Sequence, residues 1–189
     1  MSKQYSSHIT PEQYEEMKNS FAASLSRDDL FHKIVNLPFG DKLLSTSVDL
    51  GIMVLLQVNP DTGTVDRVAL SDTERAKDAV KLSAKQFNEI KIPISEPGNI
   101  ISDAIRLNEF KFTEDWACMF NPILTPKQAR LNQANAGIEC SLVYPLNSAN
   151  GGALIFSFYQ PQANITNEHL AFVASYADLV DTALKKKYV

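Results

Sequence analysis

At 189 residues, with 44% hydrophobic and 21% charged side chains, the chain has the make-up of one globular domain. Its core can be large enough to need neither disulfides nor metals. A formal net charge of −4 argues against nucleic-acid or anionic-membrane partners, which call for a basic surface. Two scattered cysteines, first residues without a signal-peptide core, and no apolar run long enough to cross a bilayer give the expectation of a soluble cytoplasmic protein.

Thr10-Pro11-Glu12 is a helix start, with Thr as N-cap and Pro at the first helical position. Tyr14, Met17, Phe21 and Leu25 then recur at helical spacing. A second helix begins near Ser26, carries Leu30, Phe31, Ile34 and Val35, and is interrupted by Pro38 and Gly40. Leu43, Leu44 and Val48 resume a helical pattern into Gly51. Ile52 to Val58 is apolar except at Gln57, as in a central strand covered on both faces. Asn59-Pro-Asp-Thr-Gly63 supplies hairpin turn chemistry, and Thr64 to Leu70 is the returning strand. Ser71 and Glu74 have capping-box spacing, which predicts a helix with Ser71 as N-cap running to about Asn88.

Glu89 to Ile94 alternates as a strand, with Pro93 placing it at an edge or strand end. Asn99 caps a short helix bearing Ile100, Ile101, Ala104, Ile105 and Leu107, and Phe110 to Phe112 forms a short strand. The chain is then irregular until a helix opened by Thr125-Pro126 that ends at Gly137. Gly137 to Pro145 alternates, residues 147–152 make a turn, Ala153 to Tyr159 returns, and Thr166 opens a long amphipathic helix. This order predicts an α+β domain of the broad α/β class. Its sheet is largely antiparallel, with the connecting helices on one face and the terminal helices on the other.

Four segments carry a family resemblance. Leu50 to Gly63 looks like a first strand and hairpin; Ile92 to Gly98, with Ile101 and Ala104, looks like an Ile-Pro, Gly-turn and helix segment; Phe110 to Asp115 looks like a strand ending in Asp; and Ala136-Gly-Ile-Glu-Cys-Ser-Leu-Val-Tyr-Pro-Leu146 is the best match. In this order they resemble the GAF sensory domain over about 43–184. The resemblance implies a GAF/PAS-like fold over 43–184, with 1–42 as an N-terminal helical extension and the terminal helix 166–187 packing against it. It also implies a non-catalytic small-molecule sensor or signal transducer. Thr125 to Leu131 is similar to the helix that carries a bilin-attaching Cys-His pair in phytochrome-like GAF domains. Lys127 and Gln128 stand at those positions, which argues against covalent bilin attachment. The cyclic-nucleotide signature of other GAF domains is not evident.

The pocket expected under the irregular segment is lined by Phe112, Trp116, Met119, Phe120, Arg130, Asn132, Gln133 and Cys140, apolar walls with a few oriented polar groups. Arg130 is a partner for an anionic ligand, or else for Glu139 or Asp115. Some freestanding GAF proteins reduce free methionine sulfoxide with cysteine thiolates, so Cys118 over the pocket and Cys140 beneath it define an enzymatic alternative. Cys140 reads equally as a small core residue. His8, His32 and His169 pair with no Cys or carboxylate at a metal-ligand spacing, and His169 is assigned to the polar side of its helix. No cofactor is identified. The stripe Leu170, Val173, Ala174, Ala177, Leu179, Val180 and Leu184 is broader than one side of a domain needs. It predicts packing against the N-terminal stripe or a homodimer through these helices. A ligand-free dimerisation module is the third alternative.

Overall fold

The structure is a computed structural model that describes residues 9–40, 48–147 and 151–187. Six strands form one antiparallel sheet: β1 (Leu50–Asn59), β2 (Thr64–Leu70), β3 (Lys91–Pro93), β4 (Lys111–Thr113), β5 (Cys140–Leu146) and β6 (Gly152–Phe158), in the order β3-β2-β1-β6-β5-β4. The near-continuous apolar run of β1 has a direct reason. Met53 and Leu55 enter one core while Ile52, Val54 and Leu56 enter the other. In the hairpin after β1, Asp61 N–H donates to the Asn59 side chain and Gly63 N–H to the Asn59 carbonyl, with Gly63 at φ 65°. A bulge in the β1–β2 pairing sets Leu55 opposite Ala69 and Leu56 opposite Arg67, leaving Val68 as the extra residue.

Seven α-helices occur among the described residues. One face of the sheet carries α1 (Pro11–Ala22), α2 (Arg27–Gly40) and α7 (Asn167–Lys187), whose apolar residues share a core with Met53, Leu55, Leu142, Leu154, Phe156 and Phe158. The other face carries α3 (Glu74–Lys81), α4 (Ile100–Leu107), α5 (Ala117–Phe120) and α6 (Pro126–Ala136), together with a 3₁₀ turn at Phe87–Glu89. Several starts and stops are those the sequence predicts. Thr10 and Thr125 close capping boxes with Gln13 and Gln128, the Asn99 side chain accepts from Ile101 and Ser102, and α6 stops at Gly137.

Other expectations are corrected. The N-cap of α3 is Thr73, whose hydroxyl accepts from Ala76 N–H and donates to the Gly51 carbonyl. Ser71 instead exchanges bonds with Met53, through its own N–H and through its hydroxyl, and prolongs the β1–β2 ladder. The helix stops at Lys81, well before Asn88, because Gln86 and Glu89 form their own capped turn. Helix α1 ends at Ala22, which leaves Leu25 outside the stripe and 96% exposed. The helical pattern at 41–47 falls outside the described residues.

Pro38 does not interrupt α2, which runs through it to Gly40. Proline has no N–H to give to the carbonyl four residues earlier, here that of Ile34. The Tyr176 hydroxyl of α7 donates to that carbonyl at 2.6 Å. Around this contact Phe21, Phe156 and Phe172 meet the Tyr176 ring at centroid distances of 6.4, 6.3 and 6.0 Å, and burial raises the phenol well above its ordinary range. The N-terminal stripe (Tyr14, Met17, Phe21) and much of the α7 stripe (Val173, Ala177, Leu179, Val180, Leu184) are buried in this shared core. Leu170 and Ala174 of the same stripe are half-buried.

Candidate ligand-binding site

A cavity of about 40 Å³ lies between the sheet and the helices of the α3–α6 face. Its floor comes from β1 (Ile52, Val54), β2 (Arg67, Leu70) and β6 (Ile155, Ser157). Trp116, Met119 and Phe120 of the α5 region, Asn132 of α6, and the α3 end with the chain that follows it complete the walls. A cavity of this size has room for about three waters or a ligand of a few heavy atoms. It does not hold a nucleotide or a bilin as it stands.

Four of the predicted pocket residues, Trp116, Met119, Phe120 and Asn132, line this cavity. Gln133 supports it from outside. Its side chain accepts from Trp116 N–H at 2.9 Å and donates to the carbonyls of Glu114 and Ile138. The indole N–H of Trp116 donates to Ser141 Oγ at 2.9 Å, and Ser141 Oγ lies 2.8 Å from Ser157 Oγ. The segment from Trp116 to Phe120 is thus tied to both α6 and the sheet.

The remaining predicted residues lie elsewhere. Arg130 is exposed and clasps Asp115, with Nε 3.1 Å from both carboxylate oxygens and Nη2 2.6 Å from one. This hydrogen bond is the main cause holding the Asp115 carboxyl below its usual value. Phe112 packs against the terminal-helix core. Cys140 is fully buried, but strand alternation sets it with Leu142 on the terminal-helix side, whereas Ser141 faces Trp116. It does not lie beneath the cavity. Burial pushes its thiol up to about 12, so it is no thiolate at neutral pH. Cys118 is exposed.

His169 departs from its expected place on the polar side of α7. It is 8% exposed, its Nδ1 accepts from Thr166 N–H at 3.1 Å, and its ring meets Phe158 edge-on. It acts as a capping-box partner at the start of α7. Gln128 likewise serves the α6 cap, and Lys127 is exposed. Among the described residues, no group of three or more His, Cys, Asp or Glu is placed to hold a metal ion, and no helix is long and apolar enough to cross a membrane.

Arg67 is the functional candidate that the sequence reading passed over. It is 7% exposed, and Nε and Nη2 are buried without a hydrogen-bond partner. Its guanidinium carbon sits 4.5 Å from the Phe120 ring centroid and 5.9 Å from that of Phe87. These stacking contacts contribute up to about 2 kcal/mol in a desolvated site. Both contacts are made over the rings by the guanidinium carbon, while Nε and Nη2 have no hydrogen-bond partner. Burial lowers the group to about 10, which still leaves it charged at neutral pH. A buried cation without a partner is costly, and such groups concentrate at functional sites. Its signal in the sequence is a charged residue two positions from Val65 on an alternating strand, hence on the same apolar face.

No protein-family model matches this sequence, and no curated protein is significantly similar to it. Solved structures do match. The GAF domain of a phosphoenolpyruvate-protein phosphotransferase from Acinetobacter aligns at TM-score 0.60 and 10% identity, over 93% of this chain and 92% of that one. The GAF domain of a two-component sensor histidine kinase from Bacillus halodurans aligns at TM-score 0.52 and 13% identity, over 94% and 95%. A free methionine-R-sulfoxide reductase from Neisseria meningitidis, solved with its substrate, aligns at TM-score 0.58 and 10% identity, over 93% and 89%.

Proposed function

For a chain that has the GAF fold, we propose a non-catalytic sensory role: a small molecule binds in the cavity beneath Trp116 and Phe120, and the output passes through the terminal helices. The observation that carries this reading is the cavity itself, apolar in its walls, with one buried and unpartnered polar side chain on its floor. β1 and β6 form that floor and also contribute Met53, Leu55, Leu154 and Phe156 to the core under α1, α2 and α7. A ligand that binds more tightly to one arrangement of this sheet than to another shifts the population of terminal-helix positions. Structural similarity to the GAF domain of a sensor histidine kinase is consistent with this role.

The reductase alternative draws on the similarity to the Neisseria enzyme. Its thiol pair is not assembled here, because Cys140 faces away from the cavity. The test uses Trp116, the single tryptophan of the chain, as reporter. In a screen of small metabolites, at least one compound is expected to change its emission saturably, and Ala79→Phe, which plugs the cavity wall, is expected to abolish the response. If every compound leaves emission unchanged, or acts equally on Ala79→Phe, the sensory reading fails.

A further inference from the structure

Two arginines in this chain present the same edge in opposite situations. On the surface, Nε and Nη2 of Arg130 grip the Asp115 carboxylate side-on. In the interior, Arg67 lines the cavity, and its Nε and Nη2 are buried and without a hydrogen-bond partner. These two nitrogens make the planar fork that matches the two oxygens of a carboxylate. Among the described residues no Asp or Glu lines the cavity, whereas Lys85 does. A second polar atom there, the Ser83 hydroxyl, is also buried and unpartnered. Asn132 and Ser157 also line it, and the remaining lining residues are apolar, notably Ile52, Val54 and Ile155.

We propose that this cavity receives a short-chain carboxylate, gripped side-on by Nε and Nη2 of Arg67, with its hydrocarbon end against Ile52, Val54 and Ile155. The inference rests on the sensory reading above and narrows its ligand. The guanidinium carbon lies over the Phe120 and Phe87 rings and the side chain is buried, so little side-chain freedom is lost on binding. The volume sets the size. A carboxylate with about two or three carbons is the most that it takes, and longer chains require the cover to move. Ser83 supplies a hydroxyl donor to whichever carboxylate lone pair the fork leaves free.

The test follows Trp116 emission of the full chain during titration with sodium propionate, its neutral isostere propionamide, and sodium chloride at matched ionic strength. Propionate is expected to bind at least about tenfold more tightly than propionamide, since hydrogen bonds to a charged group exceed neutral ones by that factor. Arg67→Met keeps length and apolar bulk. It is expected to lose the propionate response while keeping that to propionamide. Arg67→Lys keeps the charge without the fork and is expected to weaken propionate by roughly the same tenfold. Arg130→Met is expected to bind as the native chain does. Should Arg67→Met fail to fold, the comparison of propionate with propionamide on the native chain still decides. Equal responses to these two, or an equal response to chloride, overturn the carboxylate assignment. If propionamide binds and propionate does not, the sensory reading stands and this inference falls. If neither binds and no compound of the metabolite screen acts, both fall.

Discussion

Replacing Tyr176 with phenylalanine removes one oxygen and leaves the ring contacts in place. The cost follows from a vacancy 142 residues away in sequence. Pro38 sits four residues after Ile34 inside α2, so the helix cannot supply the N–H that the Ile34 carbonyl would otherwise accept. Tyr176→Phe therefore strands a buried carbonyl, and the loss is about 1–3 kcal/mol. For a domain of this length that corresponds to a fall in Tm of roughly 2–12 °C. Pro38→Ala restores a backbone donor at the right position. In that background the Tyr176→Phe penalty is expected to shrink to about 1 kcal/mol or less. The assay is urea unfolding of the four proteins of a double-mutant cycle, with equal m-values as the check that only stability has changed. If Tyr176→Phe costs the same with and without Pro38, the hydroxyl is not replacing the helical donor and the reasoning is refuted.

Three further outcomes follow. A Cβ on Gly152 would stand 2.4 Å from the Leu56 carbonyl oxygen, a backbone atom of the paired strand; Gly152→Ala is expected to cost about 1–3 kcal/mol in urea unfolding, and a neutral result contradicts the close approach. The Cys140 thiol, raised by burial from 9.0 to about 12, stays protonated in the fold after the unfolded chain has lost its proton. Its contribution to stability is therefore complete below about pH 9 and declines as pH rises toward 12. A thiol reagent at pH 8 should modify only Cys118 in the native chain and both cysteines in denaturant; prompt double labelling of the native chain refutes the burial. For His169, which caps α7 through Nδ1, His169→Gln is expected to be tolerated better than His169→Leu, because only glutamine offers an acceptor at that position. Equal melting temperatures for the two variants contradict the capping role.

The layered arrangement was legible because local and tertiary signals agree. β1 reads as a two-sided strand and is one, and the Thr125 box and Gly137 bound α6 where the pattern says. Reading failed where tertiary contacts chose between local options. Ser71-x-x-Glu74 and Thr73 both signal a helix start, and the unfilled N–H of Met53 drew Ser71 into the sheet. Pro38 reads as a stop because the sequence does not reveal a donor arriving from Tyr176. Half of the candidate pocket was readable as an aromatic and polar cluster between Trp116 and Asn132. Which face Cys140 takes depends on whether Ser141 or its neighbour meets Trp116, a long-range fact. Arg67 was passed over because a charged residue in a returning strand usually faces solvent. The bulge at Val68, by which Val68 and Ala69 both pack on the other face, carries no obvious sequence signal.

The central claim is that the cavity beneath Trp116 is a receptor for a small molecule. A methyl-resolved NMR titration of the full chain with sodium propionate tests it most directly. The methyl signals of Ile52, Ile155 and Met119, which line the cavity, are expected to shift saturably, with smaller shifts across the sheet at Val173 and Val180 of α7. Cavity methyls that stay unmoved by propionate, by propionamide and by every compound active on Trp116 emission would contradict it.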